Sequence, residues 1–151
     1  MTGKTWFGAA LPLAAALALP AVPATAQRNA KDEAVVVKFY EAAVNRKDFA
    51  EASKYLGREY RQHNPRAKDG KDGLEAFIAT LRRDAPAYRS EIKRVFSDRG
   101  HVILHVHNRT TPDSRGAAII DIFRLEKGKI VEHWDVRQDI PEKTASGNSM
   151  F

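Results

Sequence analysis

Two periodicities divide this chain. Through its first half apolar residues recur three and four apart, and from Tyr88 onward they alternate with polar ones, the change expected between helix and strand. Ala30 to Asn45 carries Val36, Val37, Tyr40 and Val44 on one stripe, with Asp32 and Glu33 near the start, where the helix dipole favours acids. Asp48 is placed to cap a shorter helix through Leu56, ended by Gly57. Glu59 to Pro65 then leads into a polar loop, Arg66 to Gly73. Asp72 is the expected cap of a third helix through Arg83, with Leu74, Phe77, Ile78 and Leu81 inward and Pro86 as its stop.

The alternating part predicts four strands: Tyr88 to Ser97, His101 to Arg109, Ala117 to Leu125 and Lys129 to Gln138. About three helices followed by a four-strand antiparallel meander is an α+β arrangement. Alternation puts Asp121 on one strand face with Phe123 and Leu125. An acid in that company, if it points inward, needs a partner or a raised proton affinity.

Strand pairing suggests what stands near Asp121. A loop centred near Ser114 sets His107 opposite Asp121 and His105 opposite Phe123. The next hairpin leaves two registers open. A bulge at Gly128 puts His133 opposite Asp121, and a two-residue Lys127-Gly128 turn puts Trp134 there. The ease with which Gly128 takes a positive φ favours the bulge. Upstream, Pro65 holds Asn64 extended, which would aim His63 and Asn64 in a fixed direction. Tyr40, Phe123 and Trp134 are aromatics able to line a pocket. The His105-Val106-His107 pair shares a face but lacks a following glutamate, Thr110, Thr111 and Pro112 standing there instead, so no metal is expected.

Composition narrows the setting. Lys4, the Ala/Leu-rich run from Trp6 to Leu19 and Ala24-Thr25-Ala26 have the layout of a secretory signal peptide cleaved after Ala26, so residues 1–26 are expected to be removed. A secreted or periplasmic protein without a membrane anchor follows, and residues 27–151 suit one domain. There is no cysteine, hence no disulfide. The formal charge of +6 is spread among acids and comes with no nucleic-acid-binding motif, so no nucleic acid is expected. Phosphate loops, dinucleotide fingerprints and serine nucleophile elbows are missing, and no cofactor is expected.

The run from Asp121 to Val136 (DIFRLEKGKIVEHWDV), the segment Tyr60 to Pro65 (YRQHNP) and the end Asn148 to Phe151 resemble the SnoaL-like polyketide cyclase group of the nuclear-transport-factor-2-like superfamily. The resemblance implies a cone-shaped fold enclosing a pocket over residues 27–141, with 142–151 as a tail. It also implies an acid–base aspartate in the Asp-x-Phe-Arg motif, here Asp121, promoting intramolecular aldol condensation or isomerase-type proton transfer. In that reading His107 orients Asp121, His63 and Asn64 stabilise an enolate, and Tyr40, His105, Phe123, His133 and Trp134 contact a small-molecule substrate. The alternative is a non-catalytic periplasmic protein that binds a small molecule in the same pocket. An outer sheet face bearing Val106, Ile120 and Ile122 suggests a homodimer, and Met150-Phe151 suggests a tail docked at a pocket mouth.

Overall fold

The computed structural model describes residues 24–151, so the signal-peptide expectation lies almost wholly outside the described residues. Helix α1 (Ala24–Tyr40) runs into a π-helical turn, Glu41–Asn45, and a short α2 (Phe49–Ser53) follows. Asp48 caps α2 by accepting from the Glu51 N–H at 3.0 Å. Helix α3 (Gly70–Asp84) starts earlier than expected. Asp72 sits inside its first turn, and Asp69 in the cap position accepts instead from the Gln62 N–H at 2.7 Å. Among the described residues no helix is long and apolar enough to cross a membrane.

Among the described residues the sheet has five strands, not four. β1 (Leu56–Gln62), β2 (Arg89–Asp98), β3 (His101–Arg109), β4 (Ala117–Glu126) and β5 (Lys129–Asp139) lie in the order β1-β5-β4-β3-β2. The extra strand β1 was expected to be the end of a helix and the start of a loop. It runs parallel to β5 at the sheet edge, and only Leu56 and Tyr60 are buried in it, because its register slips between Leu56 and Arg61. An edge strand this polar carries no alternating signature. Gly57 has no capping role: a Cβ there would come within 2.6 Å of Val131 Cγ1, so its small size lets β1 approach β5.

The β3–β4 register also departs from expectation. Leu104 pairs with Asp121, His107 with Ala118 and His105 with Ile120. Ala117 lies opposite Asn108, so the pairing is centred between Pro112 and Asp113, not near Ser114. Gly116 makes this closure: at φ +74 it packs so tightly that a Cβ would meet the Asn108 carbonyl oxygen at 1.8 Å. An odd register offset reverses the facing of one strand relative to the other. Val102, Leu104, Val106 and Asn108 therefore share the inner face with Ile119, Asp121 and Phe123, while His105 and His107 point outward.

The β4–β5 hairpin follows neither expected register. Lys127 (φ 51) and Gly128 (φ 72) form a two-residue turn, and a bulge further along, opposite Arg124 and Leu125, adds one residue to β5. Asp121 consequently pairs with Asp135, Phe123 with His133 and Ile122 with Trp134. The same bulge puts Ile130 and His133, three residues apart, among the buried residues. The helices cover the inner face, and Val36, Phe39 and Tyr40 of α1 join Leu74 and Ile78 of α3 and the inner strand residues in one core.

Candidate active site

Between the helices and the inner face of β4 and β5 lies a cavity of about 100 Å³ with Asp121 and His133 in its wall. It is otherwise largely apolar, with Phe39, Ala43, Val44, Leu74 and Phe123 around it. The π-helical turn contributes Ala43 and Val44, a widened helical turn of the kind found at functional sites. A larger cavity of about 520 Å³ adjoins it and shares Asn64, Ala67, Phe77, Tyr88, Ile119 and Asp135. Its other walls include Arg66, Asn108, Thr110 and Arg137.

Asp121 is 4% exposed. Its Oδ1 lies 3.0 Å from His133 Nε2, and its buried Oδ2 has no hydrogen-bond partner among the described residues. Burial pushes the Asp121 carboxyl above the usual carboxylate range, against the opposing pull of His133; Asp135 adds to the rise, and the Tyr40 phenol opposes it. His133 is held on three sides. Its Nδ1 is 2.9 Å from Gln62 Oε1, its Nε2 meets Asp121, and its ring stacks on Phe123 at 4.6 Å.

Three phenols surround this pair. Burial, then the Asp121 charge, raises Tyr40 well above its ordinary value, and the same two causes raise Tyr60. Tyr88 is pushed up to about 12, chiefly by burial. All three are neutral hydrogen-bond donors at physiological pH. Asn64 Nδ2 donates to both carboxylate oxygens of Asp135, at 2.8 and 2.7 Å, while its Oδ1 accepts from the Arg66 N–H at 2.8 Å.

Several residues singled out in the sequence lie elsewhere. His107 is not beside Asp121; its Nε2 contacts the Arg115 carbonyl at 2.9 Å on the outer face. His105, also outward, meets Arg94 at 3.0 Å, and burial followed by the Arg94 charge lowers its pKa. His63 turns away from the cavity. It contacts Glu132 Oε1 at 2.8 Å and stacks on Trp134 at 4.7 Å, so neither His63 nor Trp134 lines the pocket. Pro65 restricts the backbone of Asn64 but not the facing of His63, which the β1 edge sets. Tyr40, Asn64, Phe123 and His133 do line it. Sequence alone does not reveal Gln62, Tyr60, Tyr88 or Asp135 as lining residues: β1 carries no alternating signal, nothing marks the facing of Tyr88 just ahead of β2, and Asp135 reaches the inner face only through the β5 bulge.

The tail also lies elsewhere. Phe151 stacks on His107 at 4.6 Å and lies 5.2 Å from His105, with Lys93 Nζ above its ring at 5.6 Å. It covers part of the outer sheet face and not the pocket mouth.

Asp121, His133 and Asp135 each offer a donor atom within 4.8 Å of the others, a spacing that could take a divalent cation. In this arrangement His133 Nε2 and Asp121 Oδ1 already engage each other, and both Asp135 oxygens engage Asn64. The donor set therefore reads first as a hydrogen-bonded acid–imidazole pair.

Residues 36–133 match the model of the SnoaL-like domain family. No curated protein matches the chain by sequence. Solved structures share its fold. TsrD from Streptomyces laurentii has 22% identity and a TM-score of 0.60, over 72% of this chain and 88% of its own. A proposed ketosteroid isomerase from Kribbella flavida has 14% identity and a TM-score of 0.63, over 77% and 84%. A proposed polyketide cyclase from Bacillus cereus has 20% identity and a TM-score of 0.61, over 71% and 74%. At such identities the likeness concerns the fold, which hosts many chemistries.

Proposed function

The chain belongs to the SnoaL-like domain family, and we propose that its pocket moves a proton at a carbon next to a carbonyl. The observation that carries this is Asp121: buried, raised in pKa, bonded through one oxygen to His133 and unpartnered at the other. A carboxyl whose pKa is lifted toward neutrality is suited to both taking and returning a proton.

In the reactive form Asp121 is a carboxylate beside a protonated His133. Oδ2 takes the α-proton, and the C–H electron pair becomes the new C=C bond of an enolate. The carbonyl oxygen, now anionic, accepts a hydrogen bond from a neutral phenol of Tyr40, Tyr60 or Tyr88, which the low-dielectric setting makes strong. Returning the proton at a different carbon is an isomerisation. Attack of the enolate carbon on a second carbonyl of the same molecule is the aldol step of a cyclase. The substrate class is a small, largely apolar carbonyl compound, in keeping with the apolar walls and the size of the inner cavity.

The test is deuterium wash-in at the α-carbon of a panel of ketones and β-diketones in heavy water. Exchange is expected with the protein after chelator treatment. Retained ligand without exchange would replace the enzyme reading with the binding one, and exchange only after added divalent ion would move the role of Asp121 from base to ligand.

Export and dimerisation belong to the same proposal. Secretion with cleavage after Ala26 rests on the N-terminal sequence, and an intact mass starting at any residue far from Gln27 would contradict it. Dimerisation rests on the outer sheet face. Phe96 (55% exposed) and Val136 (67% exposed) lie there beside half-buried Ile103, Ile120 and Ile122. Val106, expected on that face, is buried on the inner one. Light scattering at micromolar concentration is expected to give twice the chain mass, and Ile122→Lys to return it to the monomer. A monomeric parent would exclude this.

A further inference from the structure

We infer that Gln62 is a positioning residue that keeps one proton shared between Asp121 and His133 and turns the Tyr60 hydroxyl into a donor. The inference concerns the proton inventory of the site. Its catalytic consequence rests on the proton-transfer reading above.

A backbone N–H can only donate, so its polarity is fixed. The Asn64 N–H donates to Gln62 Oε1 at 2.9 Å, so this end of the amide must be the oxygen. The same Oε1 lies 2.9 Å from His133 Nδ1. An amide oxygen only accepts, so Nδ1 must carry a hydrogen. A neutral imidazole with its hydrogen on Nδ1 has a bare lone pair on Nε2. That lone pair faces Asp121 Oδ1 at 3.0 Å. Two lone pairs cannot meet at this distance in a buried site, so a proton must lie between them. The pair is either a carboxylic acid donating to neutral His133 or a carboxylate accepting from a doubly protonated one. Both forms are neutral overall, which is what burial requires. Moving the proton from one to the other needs no solvent, and the second form has the carboxylate charge that α-proton removal uses.

The other end of Gln62 settles Tyr60. Nε2 donates to the Tyr60 oxygen at 3.2 Å, which occupies a lone pair and leaves the phenolic hydrogen free to point elsewhere. Tyr60 lines the inner cavity, so that hydrogen is available to an enolate oxygen. One amide thereby sets both the acid–base pair and an oxyanion donor.

Long-range proton–nitrogen correlation spectra of the histidine rings test this on the unaltered protein at neutral pH. His133, assigned by comparison with His133→Gln, is expected to show a protonated-type Nδ1. A bare Nδ1 with the hydrogen on Nε2 would overturn the inference even if α-proton exchange is present. A protonated Nδ1 without any exchange would leave the inference standing and defeat the proposed function. Gln62→Leu removes the acceptor and is expected to release Nδ1 from its protonated state and to lower kcat with KM little changed. Gln62→Glu keeps an acceptor for both N–H groups and should restore the nitrogen signature. Equal signatures in Gln62→Leu and the parent would also overturn the inference.

Discussion

Phe123→Ala is expected to destabilise the fold by about 3–5 kcal/mol, the range for removing a buried aromatic side chain. Phe123 is 1% exposed and sits edge-on to Phe39 at 5.7 Å and to Tyr40 at 6.4 Å while stacking on His133. Those contacts join β4 to α1 and β5, so truncation opens a void where helix and sheet meet. Against a typical total stability of about 5–15 kcal/mol, such a loss is large. It also removes the ring on which His133 stacks. Urea unfolding with an unchanged slope checks it, and a loss below about 1 kcal/mol would mean that the core closes differently.

How much of this was legible in the sequence depends on which interaction fixes each element. The first and third helices and the last four strands show in the apolar period, because each buries one face. That Asp121 shares a face with Phe123 and Leu125 shows too, since alternation along a strand needs no knowledge of a partner strand; that this face is the inner one comes from the structure. Cross-strand neighbours do not show. They depend on where a loop is centred, and the tight packing of Gly116 against Asn108 moved that centre enough to exchange His107 for Leu104. His133 reaches Asp121 by another route than a simple register argument gives: its direct partner is Phe123, and the side chain leans along the strand to the acid. Gln62 and Tyr60 were invisible because β1 is a charged edge strand whose alternation is broken by a register slip.

Asp121→Asn is expected to leave a folded protein that has lost proton transfer. The amide keeps the size of the side chain, and its NH₂ can donate to the bare Nε2 of neutral His133, replacing the shared proton. Stability should not fall near neutral pH. Because the folded state raises the Asp121 pKa, the native protein binds that proton more tightly than the unfolded chain does. The stability this contributes is complete below the unfolded carboxylate range and is lost as pH rises through the folded value. Asparagine does not ionise, so the variant escapes that loss, and its Tm should equal or exceed that of the parent on the neutral side of the range. Chemistry should respond in the opposite sense, since removing a positioned general base costs about 10²–10⁴-fold in rate.

Deuterium incorporation at a carbonyl α-carbon, measured for the parent and Asp121→Asn side by side with their melting temperatures in the same buffer, decides the role of Asp121. Exchange is expected from the parent, about 10²–10⁴-fold less from the variant, with a variant Tm no lower than the parent's. Equal exchange by the two proteins, at any Tm, would contradict the role of Asp121 as the base.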